Sequence, residues 1–241
     1  MDNGESLVTN VVCLKWGNKY GPEYVNRLYR AVQRHTMRSF KFWCFTENPQ
    51  GLLPEIETLG LSRTVDLESW WNKIFLFSID NGVPVGEQIL YVDLDTLVVD
   101  NIDYLFDAEQ APDIVVLEDF YKGIAKSAGN IGSGIMSWRH GQYGHIWENF
   151  VKDPDAAIQS VLPHGDQAWI ESQISAWYHW QDLFPDAVVS FKMHCQQGIP
   201  PGAKIICFHG KPSIPESVTF EGRDWKWNLT PQLWVLEHWR D

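Results

Sequence analysis

The sequence predicts an α/β fold built on a mixed, mostly parallel sheet flanked by helices. Apolar runs of strand length alternate through the first half with stretches whose apolar residues recur at helical spacing. The runs are continuous rather than alternating, as expected of strands covered on both faces. One of them, Ile89-Leu-Tyr-Val-Asp93-Leu-Asp95-Thr-Leu-Val-Val99, drives straight into two carboxylates one residue apart.

The opening run covers residues 7–14. A helix follows, with Pro22 suited to its first position and Val25, Leu28, Tyr29 and Val32 on one face. A second strand is expected over 40–45. A helix over 69–78 would turn Trp70, Ile74 and Phe77 inward and let Lys73 project elsewhere. After the acidic strand come a short helix over 101–106, a strand over 114–117 and the Gly-containing apolar run Asn130-Ile-Gly-Ser-Gly134-Ile-Met-Ser-Trp138, where a strand approaches a ligand or another backbone closely. Helices over 143–152 and 165–174 and strands over 188–192 and 204–208 complete the pattern. No repeat, low-complexity tract or linker divides the chain, so residues 1–241 read as one domain with a Trp-rich carboxy-terminal segment from about 213.

A formal net charge of -12 and the lack of any basic run argue against a nucleic-acid surface. No apolar stretch approaches the ~20 residues that span a bilayer. The polar, acidic amino terminus differs from a secretory signal. Cys13, Cys44, Cys195 and Cys207 form no Cys-X-X-Cys pair and read as buried thiols. A cytoplasmic location follows as the expectation, with the sequon Asn228-Leu-Thr230 unglycosylated.

Ionised groups ending a buried strand are costly unless paired or bound to metal. On an ideal strand Asp93 and Asp95 share a face with Cα atoms roughly 6.6 Å apart, near enough for a bend to bring both onto one ion. An Asx-rich turn with solvated acids is the alternative. His209 follows the run Ile205-Ile-Cys-Phe208, at the expected rim of the same sheet. Two carboxylates and an imidazole suit Mn2+ somewhat better than Mg2+.

In chain order, Val11-Val-Cys-Leu14, Lys73, Leu90-Tyr-Val-Asp-Leu-Asp95, Asn130-Ile-Gly-Ser-Gly134, Gly165-Asp-Gln167 and Phe208-His-Gly-Lys-Pro212 resemble the motifs of GT-A glycosyltransferases, those of family 8 and its bacterial relatives above all. The resemblance implies a GT-A-like, Rossmann-related sheet and metal-dependent transfer of a sugar from a nucleotide diphosphate, UDP-hexose first, with retention. It implies Asp93, Asp95 and His209 as metal ligands and Lys211 on the diphosphate. Lys73 and Tyr20 would help bind the donor, Asn130 and Ser133 would line the sugar pocket, and Asp166 and Gln167 would flank the reacting carbon. The acceptor would be a carbohydrate, lipid-linked glycan, protein or small molecule. Two departures stand out: the loop Lys15-Trp-Gly-Asn-Lys-Tyr20 carries no acid, and His209, Gly210 and Lys211 are adjacent where the family spaces them apart.

Two other functions fit the acidic pair. In a haloacid-dehalogenase-type phosphatase or phosphotransferase the first Asp would be a nucleophile, but that motif sits near the amino terminus with a Thr two residues beyond the second Asp, whereas here Thr96 follows Asp95 directly. A non-catalytic carbohydrate- or nucleotide-binding protein of the same fold would keep the residues without turnover.

Overall fold

A computed structural model of the chain describes residues 9–62, 64–123 and 129–241, apart from the side chain of Glu109. Residues 7 and 8 of the predicted opening run lie outside them. The strands in chain order are β1 (Thr9–Lys15), β2 (Phe40–Thr46), β3 (Glu57–Leu59), β4 (Gln88–Val92), β5 (Thr96–Val98), β6 (Val115–Glu118), β7 (Ile131–Arg139), β8 (Tyr178–His179), β9 (Val188–Ser190), β10 (Ile205–Cys207), β11 (Gly222–Asp224) and β12 (Trp227–Leu229).

Seven of them form one sheet in the order β3-β2-β1-β4-β7-β6-β8. The pairs β2/β3, β1/β2, β1/β4 and β6/β8 are parallel, while β7 runs antiparallel to both β4 and β6. This is the mixed, mostly parallel α/β sheet that the sequence predicts. Successive residues of a strand face opposite sides, and the cores follow that rule. Val11 and Cys13 of β1, with Leu90 and Val92 of β4, pack against Val25, Leu28 and Val32 of the helix Pro22–His35. Val12, Leu14, Ile89 and Tyr91 face the other way, onto Trp71, Ile74, Phe77, Trp147, Phe150 and Trp169.

The segment after Asp95 leaves this sheet. β5 pairs antiparallel with β10, which pairs parallel with β9, in a separate three-stranded sheet. The expectation that His209 rims the sheet presenting the acidic pair is therefore corrected: it follows β10 in the smaller sheet, which meets the Asp93–Asp95 turn through β5 and through the Phe208 N–H on the Asp95 carbonyl. All four cysteines are free and buried, as expected.

The second predicted helix is a 3-10 helix, Ser69–Phe77, and the change of period has consequences. The Asn72 amide donates to the carbonyls of Leu67 and Ser69, drawing the start of the segment into tight local bonding. With three residues per turn, i and i+3 eclipse. Trp71, Ile74 and Phe77 become the core row, in place of the predicted Trp70, Ile74 and Phe77. Trp70 and Lys73 fall together on the next row, with Trp70 52% exposed and Lys73 5% exposed.

Further along, Pro154–Ser160 is a helix that the predicted pattern lacks, although Asp153 caps it by accepting from the Ala156 N–H at 3.0 Å and Pro154 opens it. The carboxy-terminal segment folds back: Trp239, 6% exposed, sets its edge on Tyr24 of the first helix at 4.8 Å. Among the described residues no helix is long and apolar enough to cross a membrane.

Leu90, fully buried in β4 between β1 and β7, tests this core. Leu90→Ala is expected to lower stability by about 2–5 kcal/mol through a lost side chain and a residual cavity. The measurement is the shift in urea midpoint, with the denaturant slope unchanged.

Candidate functional site

Where β4 ends, the chain turns through Leu94 and Asp95 before β5 begins. Asp93 is held at the sheet edge by its N–H donating to the Gly134 carbonyl at 2.8 Å, and Asp95 by its carbonyl accepting from the Phe208 N–H at 2.8 Å. One carboxylate is thus fixed by the large sheet and the other by the small one. The predicted bend is present, and its two acids have different surroundings.

Asp93 accepts from the Tyr91 hydroxyl and lies 3.3 Å from the Lys73 ammonium. The same ammonium is 3.1 Å from Asp166 Oδ2 and 3.1 Å from Ser133 Oγ, and it donates to the Ser133 carbonyl at 3.3 Å. Ser133 in turn donates its hydroxyl proton to Asp166 at 2.6 Å. Lys73 is therefore not the solvent-facing lysine that an α-helical period allows. Burial alone would lower its pKa, but Asp166 and Asp93 outweigh that and hold it above the ordinary lysine value. Burial raises Asp93, against the pull of Lys73.

Among the described residues Asp95 has no ammonium at hydrogen-bond distance; the Tyr20 hydroxyl donates to it at 3.0 Å. Burial, and then the neighbouring Asp93 charge, push its carboxyl up to about 7, with Lys19 and the Tyr20 bond opposing. Tyr20 is raised too, by burial and by the Asp95 charge. It thus stands beside the acidic pair, one of the places sequence reasoning assigned to donor binding.

These groups open onto one cavity of about 360 Å³, whose wall includes Lys73, Asp93, Asp95, Ser133, Asp166, Gln167 and His209. Gly134 suits the passage of β7 behind it, since a Cβ there would meet Asp93 Oδ2 and Leu117 Cδ1 at 3.4 Å. Gly165 is more tightly constrained, because a Cβ would lie 2.6 Å from Trp70 Nε1. The ring of Trp70, expected in the core, is part of the cavity wall instead.

His209 reaches the cavity with both ring nitrogens engaged: Nε2 is 2.6 Å from Ser190 Oγ, and Nδ1 is 2.9 Å from the Tyr121 hydroxyl. Phe120 stacks on its ring at 5.4 Å between centroids. Among the described residues no three His, Cys, Asp or Glu side chains converge as a metal set. Asp93 and Asp95 supply the hard oxygens, and the charge on Asp95, unfavourable beside Asp93, is of the kind a divalent cation relieves. That pair fits a cation; His209 is its neighbour in the wall.

Three predicted residues lie outside that wall: Asn130, Lys211 and Tyr20, the last of which reaches it only through its bond to Asp95. Asn130 is exposed, its side-chain amide donating to Glu171 at 2.6 Å and its N–H donating to the same carboxylate at 2.9 Å. Lys211 is exposed and paired with Glu216 at 2.5 Å; Glu216 also accepts from the N–H and the hydroxyl of Ser213, each at 2.8 Å. That local network pairs Lys211 with Glu216, outside the cavity wall.

Tyr91, Tyr121 and Ser190 are the residues that sequence reasoning missed. Tyr91 was findable, since it lies two residues before Asp93 on the same strand face. So was Tyr121, because Glu118-Asp-Phe-Tyr121 is a second polar ending to an apolar strand. Ser190 meets His209 only through the β9/β10 pairing, which no local pattern announces.

No protein-family model matches the chain, and no curated protein matches it significantly in sequence. Solved structures do resemble it. The galactosyltransferase LgtC, solved in complex with donor and acceptor sugar analogues, aligns at TM-score 0.61 with 12% identity over 93% of this chain and 98% of its own. The glycosyltransferase GlyE of Streptococcus pneumoniae TIGR4 aligns at TM-score 0.62 with 13% identity, over 86% of this chain and 56% of GlyE. The bifunctional glycosyltransferase WbbM aligns at TM-score 0.55 with 12% identity, over 89% of this chain and 48% of WbbM. The chain therefore has a GT-A-like glycosyltransferase fold.

Removing the Lys73 ammonium would strand two carboxylates. Lys73→Met is expected to cost about 3–5 kcal/mol, and Asp166→Asn in the Lys73→Met background much less than in the wild type. A double-mutant cycle in denaturant measures the coupling.

Proposed function

We propose that the chain is a metal-dependent glycosyltransferase that moves a hexose from a nucleotide-diphosphate donor, UDP-linked, onto a hydroxyl acceptor with retention of configuration. The observation that carries this reading is the convergence of Asp93, Asp95, Lys73, Ser133, Asp166, Gln167 and His209 on one cavity, in a fold shared with glycosyltransferases. The residues came together from five separate stretches of sequence.

Asp93 and Asp95 would hold the ion, Mn2+ before Mg2+, and His209 would join them on giving up its bond to Ser190. A divalent cation supplies Lewis-acid stabilisation of the negative charge that builds on a departing diphosphate. Lys73 has a positioning role: with its ammonium spent on Asp93, Asp166 and Ser133, it fixes the orientation of the acids rather than reaching for phosphate. Tyr20 orients Asp95 through its hydroxyl.

Asp166 and Gln167 stand at the start of the helix Asp166–Gln173 and face the same cavity. Asp166 is tied down by Lys73 and Ser133, so its part is to place Ser133 and the helix start beside the donor sugar. Gln167 is half-buried and presents an amide to the reacting carbon. Trp70, resting over Gly165, closes that end and keeps water from the sugar.

Thermal stability measured with a panel of UDP- and GDP-sugars, with and without Mn2+, is expected to rise only when metal and a UDP-sugar are both present. Slow UDP-sugar hydrolysis should accompany it and fall about 10²–10³-fold in Asp95→Ala, the scale of losing a group that stabilises developing charge. Nucleotide binding indifferent to metal, or to Asp95→Ala, would refute the reading. A second variant, Gly165→Ala, should displace Trp70 and raise the KM for the donor while leaving the fold intact by circular dichroism.

A further inference from the structure

We propose that the hairpin of β11 and β12 forms an aromatic shelf that binds a saccharide acceptor at the mouth of the cavity. That the ligand is an acceptor rests on the glycosyl-transfer reading; that it is a saccharide rests on the shelf's own geometry.

The hairpin is short: Gly222, Arg223 and Asp224 pair with Leu229, Asn228 and Trp227, which leaves Trp225 and Lys226 as a two-residue turn. A two-stranded ribbon of this size has little stability of its own. Here it is anchored from below, because Lys192, 3% exposed, donates to Asp224, and from within, because Arg223 Nε donates to the Trp225 carbonyl at 2.8 Å. A buried lysine is a costly anchor for so small an element. At its tip Trp225 adopts φ 53°, in the left-handed region where glycine or asparagine is favoured. Strained backbone of this kind persists where the surroundings enforce it, and clusters at binding sites.

The anchoring holds a row of rings. Trp225 and Trp227 sit 5.3 Å apart at 62°, Tyr121 lies 5.6 Å from Trp227 and 6.5 Å from Trp225, and Tyr121 meets His209 edge-on at 4.9 Å. Tyr121 and His209 both belong to the cavity wall, so the rings run from the donor cavity to solvent. Trp225 is 39% exposed at the outer end, whereas Trp239, a packing tryptophan of the same segment, is 6% exposed. The ammonium of Lys226 lies 5.0 Å from the Trp225 centroid and 5.4 Å from that of Trp227, which puts a hydrogen-bond donor beside flat apolar faces. A pyranose has this mixed character, with an apolar C–H face and a rim of hydroxyls, and it matches rigid amphipathic rings. A nucleobase also stacks on rings, and the experiment separates the two.

Wild type and Trp225→Ala would be compared on a printed array of neutral oligosaccharides and, separately, by Mn2+-dependent thermal shift with UDP-sugars. The expected result is at least one glycan bound by the wild type, bound at least about tenfold more weakly by the variant, as when one stacking ring is lost, with UDP-sugar binding alike in both. Because glycine tolerates the left-handed φ at this position, Trp225→Gly serves as a second variant, with its fold checked by circular dichroism; it should lose the same glycans. No glycan bound by the wild type, or equal binding by both variants, would overturn the shelf. A parallel fall in UDP-sugar binding would assign the ring to the nucleotide and overturn it equally. Failure of the transfer reading would look different: a wild type blind to UDP-sugars, with the glycan arm still deciding the shelf.

Discussion

The buried ammonium of Lys73 is the constraint on which the site depends. It reaches Asp93 at the end of β4, Ser133 in β7 and Asp166 at the start of a helix, and so ties three distant segments to one point. A buried cation and a buried acid are each expensive alone, and together with good geometry they specify an arrangement. Three carboxylates, Asp93, Asp95 and Asp166, nevertheless share the neighbourhood of one buried ammonium. The excess gathers on Asp95, whose carboxyl is pushed up to about 7 by burial and by Asp93. A cavity built this way retains demand for positive charge after its internal pairing is complete, and the proposed cation answers that demand.

The sheet was legible because it rests on signals that survive any local detail. Continuous apolar runs placed β1, β2, β4 and β7, and Pro22 with its stripe placed the start of the first helix. The acidic pair was legible for the same reason, since charge at the end of a buried run needs an explanation. What failed was the period. Ser69–Phe77 carries a hydrophobic pattern that either 3.6 or 3.0 residues per turn can use, and the choice is made by Asn72 bonding to nearby carbonyls. The whole difference between a solvent-facing and a buried Lys73 follows from that choice.

Pairings between strands far apart in sequence were not legible. The run before His209 read as part of the main sheet, yet β10 binds β5 and β9, and it is that small sheet which sets His209 beside Ser190 and Tyr121. The fate of Lys211 was hidden for a different reason: Glu216 and Ser213 form a local ring of bonds whose members look unremarkable in sequence. The tryptophans divide by the same logic. Trp138, Trp147 and Trp169 lie in strands and helices whose pattern marks them as core, whereas the placement of Trp225 depends on a hairpin anchored by Lys192 from another element.

The crossing from β4 to β5 takes only the three residues Asp93, Leu94 and Asp95, and the two carboxylates consequently belong to different sheets. The pair is therefore a joint as well as a binding motif. Asp93 is tied to the seven-stranded body through Gly134, and Asp95 to the small sheet through Phe208. Any sliding or tilting of one sheet against the other would change the bite distance between the two acids, with only Leu94 between them to absorb it. A ligand that pulls both carboxylates onto itself clamps the two sheets in one relative pose, and the affinity of the site reads out the mechanical alignment of the molecule.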